Sequence, residues 1–304
     1  MSESRIVAFG ECMIELSRRP DGQARIGFGG DTLNTALYMA RLGGRVSYAT
    51  ALGADPWSQE LRDGWEGEGI DLGLVLTDPD RNAGLYAIRT DDRGERSFTY
   101  WRNDSAARRF LDLPGTEATL DAMAQADLLY LSGITLSLFD EAGRERIAQV
   151  AQAVRARGGD VGFDPNYRPR NWASPEAARA AFDRFARHVT IALPTFEDEE
   201  SLHGDADADA TAARWRAFGV EEIVVKLGPD GAVCFGPTTR SVVPAKRIQP
   251  LDTTGAGDSF NAAYLSARIG GAAPAQAAEA GNRLAGMVIQ HPGAIMPRDI
   301  DLAG

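Results

Sequence analysis

Cysteine is nearly absent from this chain. Cys12 and Cys234 are the only two in 304 residues, far apart and in no Cys-x-x-Cys pattern. That excludes a disulfide framework and a thiolate metal site, and it fits a reducing compartment. Histidine is almost as scarce, and His188, His203 and His291 share no metal-ligand spacing. Positive charge is in deficit. A formal net charge of −11 excludes a general nucleic-acid binder, which needs a basic stripe to displace counterions from phosphates. The local pairs Arg18–Arg19 and Arg108–Arg109 read as solvated surface. No apolar run approaches the ~18 residues of a membrane span, and the start MSESRIVAFGE lacks a basic leader with a long apolar core. The expected location is the cytoplasm, with no membrane partner.

Several motifs are missing too. There is no Gly-x-x-x-x-Gly-Lys-Ser/Thr phosphate loop, no nucleophile elbow and no zinc-protease helix. Ala8-Phe9-Gly10-Glu11-Cys12 supplies no glycine fingerprint for a dinucleotide. Asp205-Ala-Asp207-Ala-Asp209 has Ala210 where a calcium loop needs glycine and Arg216 where it needs glutamate, so it reads as an acidic helix start. No fixed-period repeat and no low-complexity linker divides the chain.

What is present is 44% apolar and 25% charged residues, enough for a sizeable core. Short β-rich runs at Arg5–Phe9, Val46–Ala49, Leu128–Leu131, Val161–Phe163, Val189–Leu193 and Ile223–Leu227 alternate with amphipathic stretches at Asp140–Arg157, Pro175–His188 and Ala208–Phe218. This predicts an α/β fold with a mostly parallel sheet covered by helices on both faces. Two regions interrupt the alternation. Arg18–Phe28 is polar and punctuated by glycine and proline, and Leu85–Thr90 and Arg96–Arg102 read as strands joined by the turn Asp91-Asp92-Arg93-Gly94. They predict a small antiparallel sheet from about 13–30 and 84–103, built onto one domain spanning 1–304. It is placed to act as a water-excluding lid and offers an edge for homo-oligomeric pairing. The chain closes with helical patterns at Ala256–Ile269 and Pro274–Gln290 around Gly270–Gly271.

The segment richest in chemistry is Asp252-Thr253-Thr254-Gly255-Ala256-Gly257-Asp258-Ser259-Phe260. Gly255 and Gly257 free the backbone to bring amide N–H groups to an anion at a helix N-terminus, and phosphate is the expected guest. Asp258 would repel phosphate, and its presence makes sense as the acceptor of a hydroxyl proton. Near the usual carboxylate pKa of ~3.9 it would be ionised at neutral pH. On Gly-x-Gly-Asp alone, a turn with an acidic cap is the simpler account, and the nine-residue context reverses that preference. Further upstream, Gly29-Gly30-Asp31-Thr32-Leu33-Asn34-Thr35-Ala36 precedes a helical pattern at Leu37–Leu42. Asp31 and Asn34 can hydrogen-bond sugar hydroxyls there.

Together these segments resemble the two signatures of the ribokinase-like carbohydrate kinases, which include the minor phosphofructokinase. The resemblance extends over essentially the whole chain, through Gly10-Glu11 and Lys226-Leu227-Gly228-Pro229-Asp230-Gly231. It implies a three-layer α/β sandwich with a β lid, ATP and Mg²⁺ as cofactors, and direct transfer without a covalent enzyme intermediate. A monovalent cation, common in the family, would involve Asp252 and Thr254. The implied catalytic group is Asp258 with the Gly255, Ala256 and Gly257 anion hole. The implied nucleotide contacts are Asn166, Arg168, Lys226, Gly228, Gly231, Gly255, Gly257 and Asn282. Those for the acceptor are Gly30, Asp31, Asn34, Tyr86, Tyr100, Arg102, Arg168 and Asp258.

Within the family, Asp31-Thr32, Tyr100-Trp101-Arg102 and Phe163-Asp164-Pro165-Asn166-Tyr167-Arg168-Pro169-Arg170-Asn171-Trp172 resemble the branch acting on 2-keto-3-deoxygluconate. Arg102 and Arg168 suit a substrate carboxylate, which a neutral sugar lacks. Thr195 and Asp198 stand where many members have the Asn-x-x-Glu that organises magnesium, so the metal-organising residues stay unassigned. A kinase for fructose, ribose or a nucleoside, and a catalytically silent sugar-sensing module, are the alternatives.

Overall fold

The computed structural model describes residues 4–18, 22–90 and 96–302. Arg19 and the turn Asp91–Gly94 lie outside the described residues. In chain order the elements are β1 (Arg5–Phe9), β2 (Met13–Arg18), β3 (Ala24–Gly29), α1 (Asp31–Arg41), β4 (Arg45–Gly53), α2 (Pro56–Gly67) and β5 (Val75–Asp78). Then come β6 (Gly84–Thr90), β7 (Arg96–Trp101), α3 (Thr116–Met123), β8 (Leu128–Ser132), α4 (Gly133–Leu136), α5 (Glu141–Ala156) and β9 (Asp160–Asp164). The last part holds α6 (Pro175–Ala186), β10 (Ile191–Ala192), α7 (Phe196–His203), α8 (Ala208–Ala217), β11 (Glu222–Lys226), β12 (Ala232–Phe235), β13 (Arg240–Val243), α9 (Ala256–Ile269) and α10 (Pro274–Val288).

Nine strands form one sheet in the order β13-β12-β11-β10-β9-β8-β1-β4-β5. It is parallel except where β12 and β13 fold back as an antiparallel edge. Each central strand is apolar on both sides, because both faces of a parallel sheet are covered by helices. In β1, Val7 and Phe9 join a core under α3, α5, α6 and α8, while Ile6 and Ala8 join a second core under α1, α2, α9 and α10. The period of two along a single strand thus builds a three-layer sandwich.

The four remaining strands make the lid sheet, ordered β3-β2-β6-β7. Its outer pairs are antiparallel and its central pair β2/β6 is parallel. Met13, Tyr86, Phe98 and Tyr100 on this sheet line the cleft described below. The opposite side of the sheet carries Leu16, Ile26 and Trp101, all exposed.

Some boundaries differ from the sequence reading. Helix α1 begins at Asp31 and not at Leu37, so Asp31 sits in its first turn and Gly30 is its N-terminal flanking residue. The expected strand Val189–Leu193 shrinks to β10 because only Ile191 and Ala192 pair with both neighbours. The acidic run does start a helix: Asp207 caps α8 by accepting from the Ala210 N–H at 2.8 Å, while Asp205 takes Arg214 and Thr211.

Candidate active site

Strand order reverses at β1, whose neighbours β8 and β4 leave in opposite directions. Ligands of open α/β sheets bind at such a switch point, beyond the carboxyl ends of the strands. A cleft of about 1300 Å³ opens there between sheet and lid, and its wall includes every site residue expected from the sequence.

The floor of the cleft is a buried polar network. Lys226, at the end of β11, donates to Asp164 Oδ2 at 2.6 Å and to Asn261 Oδ1 at 3.1 Å. Asn261 Nδ2 in turn donates to the same Asp164 oxygen at 2.6 Å and to the Tyr130 hydroxyl at 3.1 Å. The Lys226 ammonium, expected at the nucleotide, is therefore engaged beneath the cleft. A Cβ on Gly257 would lie 3.6 Å from it. Asp164, Asn261 and Tyr130 were not singled out from the sequence. In the sequence Asp164 appears only within the run from Phe163 that resembles the 2-keto-3-deoxygluconate branch, just after the predicted strand Val161–Phe163, with no role of its own.

Above this floor stands Asp258, in the first turn of α9, a helix that starts at Gly255 with no side-chain cap. Gly255 has φ +76°, where a Cβ would sit 2.8 Å from the Ala294 backbone. Gly257 is different: its φ is not positive and a Cβ has room. The conformational argument made from sequence thus holds for Gly255 alone, and the absence of a Gly257 side chain matters only for what approaches from the cleft. Ala256 completes the first turn. Asp258 Oδ2 accepts from Asn34 Nδ2 at 2.8 Å. Burial foremost, then the Asp31 and Asp164 carboxylates, push its pKa from 3.8 up to about 7, against Asn34 and Lys226. That corrects the expectation of an ordinary, fully ionised carboxyl.

On the acceptor side, Gly30 brings α1 against the end of β1. A Cβ there would fall 2.2 Å from the Glu11 carbonyl oxygen, so only glycine permits this approach. Asp31 Oδ2 accepts from Asn166 Nδ2 at 2.9 Å, and Asn166 holds a left-handed φ of 37°. From the lid, Tyr86 donates to Glu15 at 2.6 Å and stacks on Tyr100 at 5.8 Å. Arg170 closes the row, donating to the Tyr100 hydroxyl at 2.9 Å with its guanidinium 4.1 Å from the ring centroid. Arg102 is buried and ion-paired with Glu11, which also accepts from Ser105. Its Nε is buried and unpartnered among the described residues. Neither Glu11, Glu15 nor Arg170 was assigned a role from the sequence.

On the opposite side, Arg168 pairs with Asp198 at 3.1 Å. Burial raises the Asp198 pKa, with Arg168 opposing. Thr195 lies beside them. Gly228 and Gly231 bracket a tight turn with φ of 56° and 99°, and Asn282 reaches across to donate to the Val243 carbonyl at 3.1 Å. Asp252 accepts from Thr254 N at 2.9 Å and Thr254 Oγ1 at 2.7 Å, which fixes the loop entering α9.

The model of the pfkB family of carbohydrate kinases matches residues 3–301. The chain belongs to that family. This carbohydrate kinase is 43% identical over 305 residues to the 2-dehydro-3-deoxygluconokinase of Dickeya dadantii, covering 98% of each chain. Its fold matches the solved 2-dehydro-3-deoxygluconokinase of Thermotoga maritima with a TM-score of 0.85 at 21% identity, over 96% of this chain and 94% of that one. It also matches a double-mutant fructokinase from Vibrio cholerae O395 solved with fructose, ADP and potassium (TM-score 0.83, 24% identity, 96% and 94% coverage). No helix among the described residues is long and apolar enough to cross a membrane.

Proposed function

We propose that this kinase transfers the γ-phosphoryl group of ATP to the 6-hydroxyl of 2-keto-3-deoxygluconate, with Asp258 as general base. The observation that carries the reading is the pairing of a buried carboxyl, Asp258, with the uncapped N-terminus of α9 in a cleft large enough for two ligands. The relatives named for this substrate supply its identity.

The sugar acid lies between Gly30, Asp31 and Asn34 below and Tyr86, Tyr100 and Arg102 above. ATP lies along Gly228, Gly231 and Asn282, with its phosphates toward the α9 N-terminus and Arg168. Asp258 takes the hydroxyl proton as the sugar oxygen bonds to the γ-phosphorus and the bond to the ADP oxygen breaks. The N–H groups of the Gly255–Gly257 turn then face the charge on the transferred group. A base with a pKa near 7 is matched to neutral pH, since the proton moves with little driving-force penalty.

Among the described residues no three acidic, histidine or cysteine side chains gather to hold a metal. Magnesium keeps most of its waters and binds mainly to substrate phosphate oxygens, so it would be held largely by the nucleotide. Asp198 is the cleft carboxylate placed to assist, and the ion would neutralise phosphate charge. ADP release measured across 2-keto-3-deoxygluconate, gluconate, fructose and ribose tests the reading. Turnover should be highest with the keto-deoxy acid by at least tenfold, and an equal or higher kcat/KM on a neutral sugar would overturn it.

A further inference from the structure

Asn34 spans from the base to an empty acceptor. Its Nδ2 makes the one side-chain hydrogen bond to the Asp258 carboxylate among the described residues. Its Oδ1 is buried and has no partner there. The helix that carries it is tied on both sides. Its backbone N–H donates to the Gly30 carbonyl at 2.7 Å, and the next residue, Thr35, donates through Oγ1 to the Asp258 carbonyl at 3.1 Å. Consecutive residues of α1 thus tie the first turn of α9 by one side-chain and one backbone contact.

The chemistry of an amide decides what this arrangement does. An Asn N–H can only donate, and it meets a carboxylate lone pair most favourably when the carboxyl is ionised. Held on Oδ2, the carboxyl presents Oδ1 to whatever else enters. We propose that Asn34, which the family resemblance already places at the acceptor, is also a positioning residue for the base: its Nδ2 anchors Asp258 Oδ2 and favours the proton-accepting form. One side chain thereby registers the acceptor against the group that deprotonates it. This rests on Asp258 being the base, and the experiment separates the two claims.

The other charges facing Asp258 come from different elements: Asp31 on α1, Asp164 on β9 and Lys226 on β11. Tyr38 on α1 and Tyr130 on β8 sense its charge. Two carboxylates disfavour ionisation and one ammonium, already engaged with Asp164 and Asn261, favours it. Removing Asn34 therefore takes away the side-chain hydrogen bond that stabilises the ionised form and leaves Lys226 to oppose two carboxylates.

The test is kcat against pH at saturating sugar acid and MgATP. For Asn34→Leu the acidic limb should move up by about 1–2 pH units, the span of one hydrogen bond to a charged group. Activity should recover toward alkaline pH, and KM for the sugar should rise as its hydroxyl loses an acceptor. Asn34→Ala, smaller and helix-favouring, carries the same test if the leucine variant does not fold. An unmoved limb, or a loss equal at every pH, overturns the proposal. Loss of ATP binding in both variants makes the contact structural and overturns it as well. Asp258→Asn is assayed alongside. If it stays active, the base assignment itself fails; if it is inactive while the Asn34 variants keep the wild-type limb, only the positioning role fails.

Discussion

Asp258 illustrates how a single residue trades stability for chemistry. Its carboxyl is buried beside Asp31 and Asp164, so ionising it in the folded protein is harder than in the unfolded chain. The sign follows from linkage. With a folded pKa of about 7 against 3.8, the native state binds the proton more tightly. The native state is thus favoured below the unfolded value, and that advantage is lost as pH rises through the folded value. An amide carries no such cost. Asp258→Asn should therefore melt increasingly above wild type as pH rises across this interval and keep a constant lead beyond it. The same substitution should lower turnover by ~10²–10⁴-fold, because an amide cannot take the proton. Thermal melts across the pH range together with kcat give both readings. Retention of more than about a tenth of wild-type turnover by Asp258→Asn would rule out the base role, and a melting difference independent of pH would rule out the raised pKa.

At the scale of elements, the N-terminus of α9 separates two glycines that look equivalent in sequence. Gly255 holds φ +76° against the Ala294 backbone, so Gly255→Val should cost ~1–3 kcal/mol for the left-handed conformation, with the steric conflict adding to it. Gly257→Val should leave the denaturation midpoint almost unchanged, yet place a branched side chain where phosphate approaches. ATP affinity measured calorimetrically should fall for a protein that is still folded, and wild-type affinity in Gly257→Val would show that phosphate does not use this turn. The distinction was not legible in the sequence, where Gly-x-Gly gives no φ. The limits of α9 were legible to the residue, because its apolar spacing runs from Ala256 to Ile269 without interruption. The start of α1 was not, since Asp31-Thr32 looks like a turn until Gly30 is seen packed against Glu11. The edge hairpin β12/β13 was missed because each strand has four residues between turn formers. The family-scale signatures located the cleft wall, whereas Asn34–Asp258 and Glu11–Arg102, contacts between residues distant in the chain, depend on side-chain geometry that spacing does not encode.

On the whole-molecule scale, the chain carries −11, yet both proposed ligands are anions. The cleft resolves the conflict locally: Arg102, Arg168, Arg170, Lys226, Lys246 and Arg247 line it opposite Glu11, Asp31, Asp164, Asp198, Asp252 and Asp258. Its wall is balanced while the remaining surface is acidic. Arg102 follows directly on lid strand β7 and is buried, and its pairing with Glu11 changes how its role must be tested. Taking one partner from a buried ion pair leaves the other uncompensated, at a cost of ~3–5 kcal/mol. Arg102→Ala alone would therefore mix lost recognition with lost stability. The double variant Arg102→Ala, Glu11→Gln removes both charges, and it should unfold at higher temperature than the single one. If Arg102 receives the substrate carboxylate, losing that charged hydrogen bond should raise KM for 2-keto-3-deoxygluconate by roughly 10- to 150-fold. Slow turnover of a neutral sugar such as fructose should keep its KM. If Arg102 only braces the lid through Glu11, poorer closure should harm acid and neutral sugar alike. Steady-state kinetics of the double variant on both substrates decide between these outcomes. Equal losses would leave the sugar-acid preference without its cation, and Arg168 would be the next guanidinium to examine in the same way.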